Sequence, residues 1–324
     1  AEKLYRVNTC LFEVDQMYDT LLESHCDQPA ASSAQEDSGQ SRTSKRYVLY
    51  GDSIAAHLYP GLITRIPERD IIQLTGGGCP AIRSSIDSPR CRDFYDWFTG
   101  EYVPNNPVDA ILISSSWKAV YERLGDRNFR VKLDDLFERL QGKRVVVYSM
   151  AASLKVDIPR YYYKLERFGY EVPANLEMEA DDLSAVNSAL REEVAKFGFE
   201  FIDISQQFCS EGKCMVAKDG VLYFSDARHL TLTGSVLVTE ATYELIVGRS
   251  SVLLPSQKDK SKSDRMVSDA SLLIHDVDGT IWHSSEGPGE PPRTGRCASS
   301  GASRRGPSTA SLSGGRNAPG MIRC

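Results

Sequence analysis

Short apolar runs alternate with helical patterns along the central part of the chain. The first run, Tyr47-Val48-Leu49-Tyr50, has the length and the aromatic and β-branched content of a buried strand. Helical patterns separate such runs, for example over residues 128–140 and 182–197. Five strands with intervening helices predict an α/β fold in which a five-stranded parallel sheet is covered on both faces. The other four runs are residues 70–74, 109–114, 144–149 and 199–204.

The composition changes on either side of this central part. Residues 28–44 are rich in Ala, Ser, Gln, Gly and Asp, which is typical of a flexible linker. Beyond residue 252 the chain is first polar and Lys-rich and then dominated by Gly, Ser, Pro and Arg, so that disorder is expected. We therefore predict three parts: an N-terminal extension and linker (1–44), an α/β domain (45–250), and a linker with a disordered low-complexity tail (251–324).

Length and charge limit the possible functions. The 324 residues suffice for one α/β domain of about 200 residues with attachments. The net charge of −6 is modest, and no nucleic-acid partner is predicted. The chain has no apolar run of about 18 residues and starts with neither Met nor a charged and then apolar leader. A soluble piece, mature or excised, is therefore the expectation.

Two short motifs carry the candidate chemistry. Gly51-Asp52-Ser53 lies where the first strand turns into a helix, which places Ser53 at a helix N-terminus on the carboxyl edge of the sheet. In Asp226-x-x-His229 the spacing lets the carboxylate reach the imidazole Nδ1–H, which leaves Nε2 to take the Ser53 proton. Together they supply a nucleophile, a base and an orienting carboxylate for ester chemistry. The alternative is a turn Ser and a capping Asp in an inert domain.

These motifs resemble those of the SGNH (GDSL-type) hydrolase superfamily, a flavodoxin-like α/β/α fold of esterases and acyltransferases. The longer strings at residues 51–61 and 229–235 are similar to one branch, the extracytoplasmic SGNH domain fused to membrane acyltransferase-3 proteins that O-acetylate bacterial surface polysaccharides. The resemblance covers residues 4–247. It implies that Ser53 is the nucleophile, His229 the base and Asp226 its partner, with no cofactor or metal.

The resemblance also implies an oxyanion hole, formed here by the N–H of Ser53 and by the glycine run Gly76-Gly77-Gly78, with Gly77 and Gly78 as candidates. A Gly-x-Asn that normally supplies a further donor is absent, since the matching strand end is Ile111-Leu-Ile-Ser-Ser-Ser-Trp117. Losing a donor costs roughly 3–4 kcal/mol, so a substitute is expected in Ser116 or in the indole N–H of Trp117. A second departure is Ile54, where this branch usually has His.

Six of the eight cysteines form local pairs whose spacing does not fit zinc. Three local disulfides are the simpler interpretation and indicate an oxidising compartment, although the last pair is also compatible with unpaired surface thiols. The protein is therefore predicted to be periplasmic or extracytoplasmic. The resemblance adds tethering to the inner membrane in a full-length protein and a membrane acyltransferase domain that supplies acyl groups. The pairs are Cys10 with Cys26, Cys79 with Cys91, and Cys209 with Cys214.

Several other features have two interpretations. The segment around Asp276 and Asp278 is similar to the Asp-x-Asp-Gly-Thr motif of haloacid-dehalogenase-type phosphatases, but too little chain follows for that domain, and a chance match or a fragment is favoured.

His57, four residues after Ser53, either faces the site or lies at a helix surface or core edge, and the second position is preferred. The insertion at residues 161–182 lies near the expected substrate position, and its Tyr161-Tyr162-Tyr163 either stacks on sugars or packs on the domain.

Three functions follow. The first is a serine enzyme that transfers or removes O-acetyl groups on an extracytoplasmic glycan acceptor through an acyl-Ser53 intermediate. The second is a lipid or small-ester hydrolase of the same superfamily. The third is a catalytically dead glycan-binding module, which the missing Asn suggests.

Overall fold

The computed structural model describes residues 2–27, 45–84 and 87–248. The linker at residues 28–44, the tail at 251–324 and the phosphatase-like motif with Asp276 and Asp278 lie outside the described residues. The predictions made for them therefore stay predictions.

Ten strands lie within the described part of the chain and form two sheets. The central sheet has six strands, all parallel, in the order β1-β3-β2-β4-β5-β7. The remaining strands form a smaller antiparallel sheet in which β9 pairs with β6, β8 and β10. The strands are β1 (Leu11–Phe12), β2 (Tyr47–Gly51), β3 (Ile71–Gly76), β4 (Ala110–Ser114), β5 (Val145–Tyr148), β6 (Leu176–Glu179), β7 (Glu200–Ile202), β8 (Cys209–Ser210), β9 (Lys213–Lys218) and β10 (Val221–Leu222).

Successive side chains of the central strands enter two separate cores. In β2, Val48 and Tyr50 pack into one core, whereas Tyr47 and Leu49 pack into the other. Both sets are buried, because helices cover both faces of the sheet. This double burial explains why the strands are continuous apolar runs and not alternating ones. The predicted parallel α/β/α sandwich is confirmed.

Helices supply the outer layers. Apolar residues of α5, α7, α8 and α10 contribute to the first core, and those of α4, α9 and α11 to the second. The helices are α1 (Glu2–Tyr5), α2 (Asp19–Glu23), α3 (Ser53–Ala56), α4 (Tyr59–Leu62), α5 (Pro89–Trp97), α6 (Val103–Asn105), α7 (Trp117–Leu124), α8 (Asp126–Arg139), α9 (Ile158–Arg167), α10 (Ser184–Lys196) and α11 (Leu232–Ile246). No helix in the described ranges has the length and apolar character needed to cross a membrane.

The N-terminal segment adds a strand to the sheet. Strand β1 pairs with β3 in parallel, with Leu11 opposite Thr75 and Phe12 opposite Gly76. The prediction of five strands was therefore wrong by one strand. A strand of two residues is too short to show a period of two, so the sequence pattern does not reveal it.

The insertion at residues 161–182 contains the end of α9 and all of β6. In β6 Leu176 and Met178 are buried whereas Glu177 and Glu179 are exposed, and this alternation places the strand over the second core. Tyr161 and Tyr162 pack against the same core. Packing is therefore the role of two of the three consecutive tyrosines, while Tyr163 is 58% exposed.

Candidate active site

A sharp turn at the end of β2 positions Ser53. Gly51 has a φ of +144°, and a Cβ atom there would lie 1.8 Å from the carbonyl oxygen of Ser114, so the backbones of β2 and β4 approach too closely for any side chain. Asp52 then caps α3 by accepting a hydrogen bond from the N–H of Ile54 at 2.9 Å. Ser53 is consequently the first residue of α3 and lies at the carboxyl edge of the sheet.

A tight turn before α11 positions His229 and Asp226. Phe224 and Leu230 form an antiparallel bridge, and the N–H of Ser225 donates to the carbonyl oxygen of His229 at 2.9 Å. Inside this turn the Oδ1 atom of Asp226 accepts from the N–H of His229 at 2.8 Å and from the N–H of Arg228 at 2.7 Å. The three-residue spacing between Asp226 and His229 therefore corresponds to a compact turn, which the Asp226 carboxylate stabilises through hydrogen bonds from the backbone.

The structure brings the three predicted residues into one chain of hydrogen bonds. His229 Nδ1 lies 2.7 Å from Asp226 Oδ2, and His229 Nε2 lies 2.8 Å from Ser53 Oγ. A carboxylate can only accept, so Nδ1 carries the proton and Nε2 presents its lone pair to the Ser53 hydroxyl. The side chains of His229 and Asp226 are 26% and 39% exposed, so a ligand can reach this chain from one side.

The electrostatics of Asp226 favour its charged form. Burial alone would raise the pKa of this carboxyl, but the His229 side chain and the N–H groups of His229 and Arg228 outweigh it and lower the pKa to about 2. Asp226 is therefore ionised near neutral pH, where it can stabilise an imidazolium on His229.

Two of the backbone N–H groups that were expected to form the oxyanion hole make no hydrogen bond within the described residues. The N–H of Ser53 is at the start of α3, and the N–H of Gly78 follows the neighbouring strand β3; neither has an acceptor among the described residues. Gly78 is exposed and has a φ of +67°. The expectation for Gly77 is not met, because its N–H donates to the carbonyl oxygen of Phe12 at 2.7 Å.

Neither substitute donor proposed from the sequence is available. The indole N–H of Trp117 donates to the carbonyl oxygen of Tyr148 at 2.8 Å, and the Trp117 side chain is completely buried. Ser116 donates to Asp52 Oδ2 through its N–H at 2.9 Å and its hydroxyl at 2.6 Å. The predictions for Trp117 and Ser116 are thus wrong, because both groups hold the fold together at the ends of β2, β4 and β5.

The sequence interpretation assigned no separate role to Asp52. Its carboxylate is 1% exposed and accepts from Ile54, from Ser116 and from the hydroxyl of Ser115 at 2.9 Å. These bonds tie the turn that carries Ser53 to the loop after β4. The available signal was an Asp immediately before a helix start, together with three consecutive serines after β4.

His57 is completely buried next to His229, so the preferred interpretation as a helix-surface or core-edge residue is wrong. Its ring lies 6.0 Å from the His229 ring at an angle of 90°. Its Nδ1 accepts from the N–H of Leu230 at 3.3 Å. Burial, and next the proximity of His229, lower the pKa of His57 well below its usual value of 6.5. Ile54 is also buried and packs in the first core.

All three expected disulfides are present: Cys10–Cys26, Cys79–Cys91 and Cys209–Cys214. The unpaired-thiol alternative for the last pair is therefore not met. The second disulfide closes the loop that follows Gly78, and the Arg90 guanidinium donates to the carbonyl oxygen of Gly77 at 2.5 Å. This segment is thereby held beside the candidate oxyanion hole.

A cavity of about 550 Å³ lies at the same edge of the sheet, beyond β5 and β7. Its Asp181 accepts from Ser153 at 2.8 Å, and the N–H of Leu154 donates at 2.8 Å to Ala227 in the turn that carries His229. No group of three or more His, Cys, Asp or Glu side chains suited to a metal ion occurs in the described ranges. The cavity is lined by residues 180–184, Asn187, Arg191, Asp203 and residues 209–212.

Several solved structures are similar to this chain. The periplasmic domain of a lipopolysaccharide acetyltransferase from Salmonella ser. Paratyphi A matches with a TM-score of 0.57 at 17% identity, over 76% of this chain and 94% of that chain. An aryl esterase of M. smegmatis matches with a TM-score of 0.43 at 13% identity, over 64% of this chain and 100% of that chain. A carbohydrate acetylesterase family member from Sinorhizobium meliloti matches with a TM-score of 0.40 at 12% identity, over 63% of this chain and 99% of that chain.

A search of curated protein sequences gave no significant match. A family model, in contrast, matches most of the chain. It is described as an SGNH domain fused to AT3 domains, and it aligns with residues 10–244. This range includes β1 to β10, the Gly51-Asp52-Ser53 turn and the turn that carries Asp226 and His229. SGNH hydrolases as a superfamily act on esters. The chain therefore belongs to one branch of this superfamily, the family of SGNH domains that are fused to AT3 domains.

Proposed function

We propose that this protein is a serine O-acyltransferase and esterase that transfers or removes O-acetyl groups on an extracytoplasmic bacterial glycan. The observation that carries the proposal is the hydrogen-bonded chain Ser53–His229–Asp226, with separations of 2.8 and 2.7 Å. Such a chain lets a neutral imidazole remove the proton from the hydroxyl as the oxygen attacks an acyl carbon.

The reaction proceeds in two steps. In the first, Ser53 Oγ bonds to the acyl carbon, His229 Nε2 takes the Ser53 proton, and the N–H groups of Ser53 and Gly78 stabilise the oxyanion. Collapse of this intermediate releases the alcohol of the donor ester, which takes the proton from His229 and leaves acyl-Ser53. In the second step a hydroxyl group or water attacks the carbonyl carbon of acyl-Ser53 and gives its proton to His229. The bond between the acyl carbon and Ser53 Oγ then breaks, His229 returns the proton to Ser53 Oγ, and the ester or acid is released. Asp226 keeps Nδ1 protonated throughout.

The family supports the glycan as acceptor. Members of the family are fused to AT3 domains, and the Salmonella relative is the periplasmic domain of a lipopolysaccharide acetyltransferase. By analogy with these proteins, a membrane acyltransferase domain supplies the acyl group, and the SGNH domain passes it to a surface polysaccharide. Three disulfides are compatible with a periplasmic site of action, tethered to the inner membrane in a full-length protein.

Trapping the acyl-enzyme tests the chemistry. The protein is mixed with p-nitrophenyl acetate and quenched in acid, and intact and peptide mass spectrometry then locate the added acetyl group. We expect one acetyl group on the peptide that contains Ser53, and none in Ser53→Ala. Ser205→Ala is the matched control, because Ser205 also follows a strand of the central sheet but its hydroxyl donates to Asp203 and not to a histidine. Acetylation at another residue, or none at all, would favour the dead glycan-binding module.

A second experiment tests the acceptor. The acetylated protein is offered de-O-acetylated surface oligosaccharides, simple alcohols or lipid alcohols, and the products are followed by mass spectrometry. Oligosaccharide acetylation well above that of simple alcohols is expected, because oriented hydroxyls compete with water through their position. Efficient acyl transfer to or from lipids alone would identify a lipid esterase, and hydrolysis alone with every acceptor would overturn the proposed transfer.

A further inference from the structure

The backbone of Leu230, the residue after His229, is held at both of its polar groups by side chains. The Tyr5 hydroxyl donates to the carbonyl oxygen of Leu230, and the N–H of Leu230 donates to His57 Nδ1 at 3.3 Å. Tyr5, His57 and Leu230 are all buried. Tyr5 and His57 are far from Leu230 in the sequence, and the rings of both also lie about 6 Å from that of His229.

The turn itself explains why the polar groups of Leu230 need such partners. Across the bridge between Phe224 and Leu230, the bonds run from the N–H of Ser225 to His229 and from the N–H of Thr231 to Tyr223. In an antiparallel pair the residue between these bonds points its own N–H and C=O away from the partner strand. The two groups of Leu230 therefore face the domain, where a buried group without a partner is costly.

His57 and Tyr5 are both connected to the structure that positions Ser53. His57 directly follows α3, and Tyr5 is hydrogen-bonded to the central sheet. His57 is the C-cap of α3, whose first residue is Ser53, so one helical turn connects the nucleophile to the side chain that holds the His229 turn. Tyr5 is anchored through its carbonyl oxygen, which accepts from Gln73 Nε2 in β3 at 3.0 Å. The disulfide Cys10–Cys26 closes the segment that follows Tyr5.

The protonation states fit these contacts. Burial raises the pKa of the Tyr5 hydroxyl, so it stays a donor. Burial lowers the pKa of His57, so its ring stays neutral and Nδ1 can accept. The proton is then on Nε2, for which no acceptor lies among the described residues. A buried N–H without a partner is unfavourable, and an apolar side chain at this position would not carry one. The histidine therefore stabilises the structure through its Nδ1 atom, which accepts from Leu230.

We propose that Tyr5 and His57 are positioning residues that clamp the backbone of Leu230 and thereby keep His229 Nε2 in line with Ser53 Oγ. The N-terminal segment is then part of the catalytic unit and not a separate attachment. The inference rests on the proposed role of His229 as the base. The rings of Tyr5 and His57 lie 6.3 and 6.0 Å from the His229 ring, and neither side chain hydrogen-bonds to Ser53 Oγ or His229 Nε2. We therefore expect their loss to change the catalytic step and not the binding of the ester.

Steady-state kinetics with p-nitrophenyl acetate tests the effect on catalysis. Tyr5→Phe removes only the hydroxyl, and we expect kcat to fall by about 10-fold to 100-fold with KM changed by less than about twofold. The matched control is Tyr102→Phe, since the Tyr102 hydroxyl also donates to a backbone carbonyl of the N-terminal segment, that of Asp27, at 3.1 Å. Its kcat should remain that of the wild type.

A pair of variants at His57 separates positioning from packing. The side-chain oxygen in His57→Asn can replace Nδ1 as an acceptor, whereas His57→Leu cannot accept, and both lose the ring. We expect kcat to be at least about tenfold higher in His57→Asn than in His57→Leu at similar melting temperatures. Equal kcat values in the two variants, or an unchanged kcat in Tyr5→Phe, would overturn the proposal.

Amide hydrogen exchange provides a measurement that does not depend on turnover. Loss of the acceptor in His57→Leu should speed exchange of the Leu230 N–H by at least about tenfold at constant global stability, whereas exchange in Tyr102→Phe should stay unchanged there. If the wild type shows this protection but no acylation, the proposed function fails and the clamp stands. If the wild type is active and Leu230 exchanges equally fast in all variants, the clamp fails.

Discussion

Asp52 accepts two hydrogen bonds from Ser116, one from its N–H at 2.9 Å and one from its hydroxyl at 2.6 Å. The pair joins the carboxyl end of β2 to the loop after β4, at the place where the superfamily resemblance led us to expect a side-chain donor for the oxyanion. Ser116 is thereby a structural partner of the turn that carries Ser53. The oxyanion hole that we propose therefore consists of the N–H groups of Ser53 and Gly78.

Substitutions of the three candidate catalytic residues should reduce the activity to different extents. Ser53→Ala and His229→Ala remove the nucleophile and the base, and each should abolish nearly all turnover of p-nitrophenyl acetate, on the order of a 10⁴-fold loss or more in kcat/KM. Asp226→Asn disturbs the orientation of His229 and not the proton acceptor itself, so its loss should be smaller. Circular dichroism confirms folding of each variant. Substantial turnover by Ser53→Ala would refute the triad.

Replacement of Asp52 by asparagine should cost both stability and activity. The amide can accept through one atom only, and its nitrogen would face donors of Ser115 and Ser116, so buried groups lose their partner. We expect the free energy of unfolding to fall by about 1–3 kcal/mol, together with a lower kcat. Urea denaturation and steady-state kinetics measure the two effects. Asp182→Asn is the control, because Asp182 makes similar bonds to Ser184 on the exposed surface; equal effects at both sites would contradict this role.

Trp117→Phe distinguishes a structural indole from a catalytic one. Because the indole N–H donates to the carbonyl oxygen of Tyr148, the variant should lose about 1–3 kcal/mol of unfolding free energy and keep kcat within a few fold of the wild type at a temperature where it is folded. An oxyanion donor would instead lose about 10²-fold to 10³-fold in kcat. A loss of that size at unchanged stability would restore Trp117 as a donor.

Acid should weaken the fold through Asp226. Its pKa is about 2 in the folded protein against a usual value of 3.8, so the stabilisation is complete above the unfolded pKa and is lost as the pH falls toward 2. Since the side chain is 39% exposed, solvent screening reduces the contribution to on the order of 1 kcal/mol. The gap in unfolding free energy between wild type and Asp226→Asn should therefore shrink from about pH 6 to about pH 2.5. A gap that is constant over this range would contradict the assignment.

Local patterns were sufficient for much of the fold and for three residues of the candidate site. The strand from Tyr47 to Gly51 is a buried apolar run, and the turn after it needs a glycine and a helix cap, all of which neighbouring residues specify. Asp226 and His229 meet because they are three residues apart in one turn. The disulfides join cysteines close in the chain. Interactions of this kind depend on residues that are close in the chain, so they can be predicted from the sequence alone.

The roles of the other residues depend on contacts between distant segments. Whether the N–H of Gly77 or of Gly78 is free depends on β1, because Phe12 takes the first of them. The indole of Trp117 points to β5 and not to Ser53 because the end of β5 offers it a carbonyl group. Tyr5 and His57 reach Leu230 across 225 and 173 residues. A hydrogen-bond donor is used by whichever acceptor the folded chain places beside it, and no local pattern contains that information.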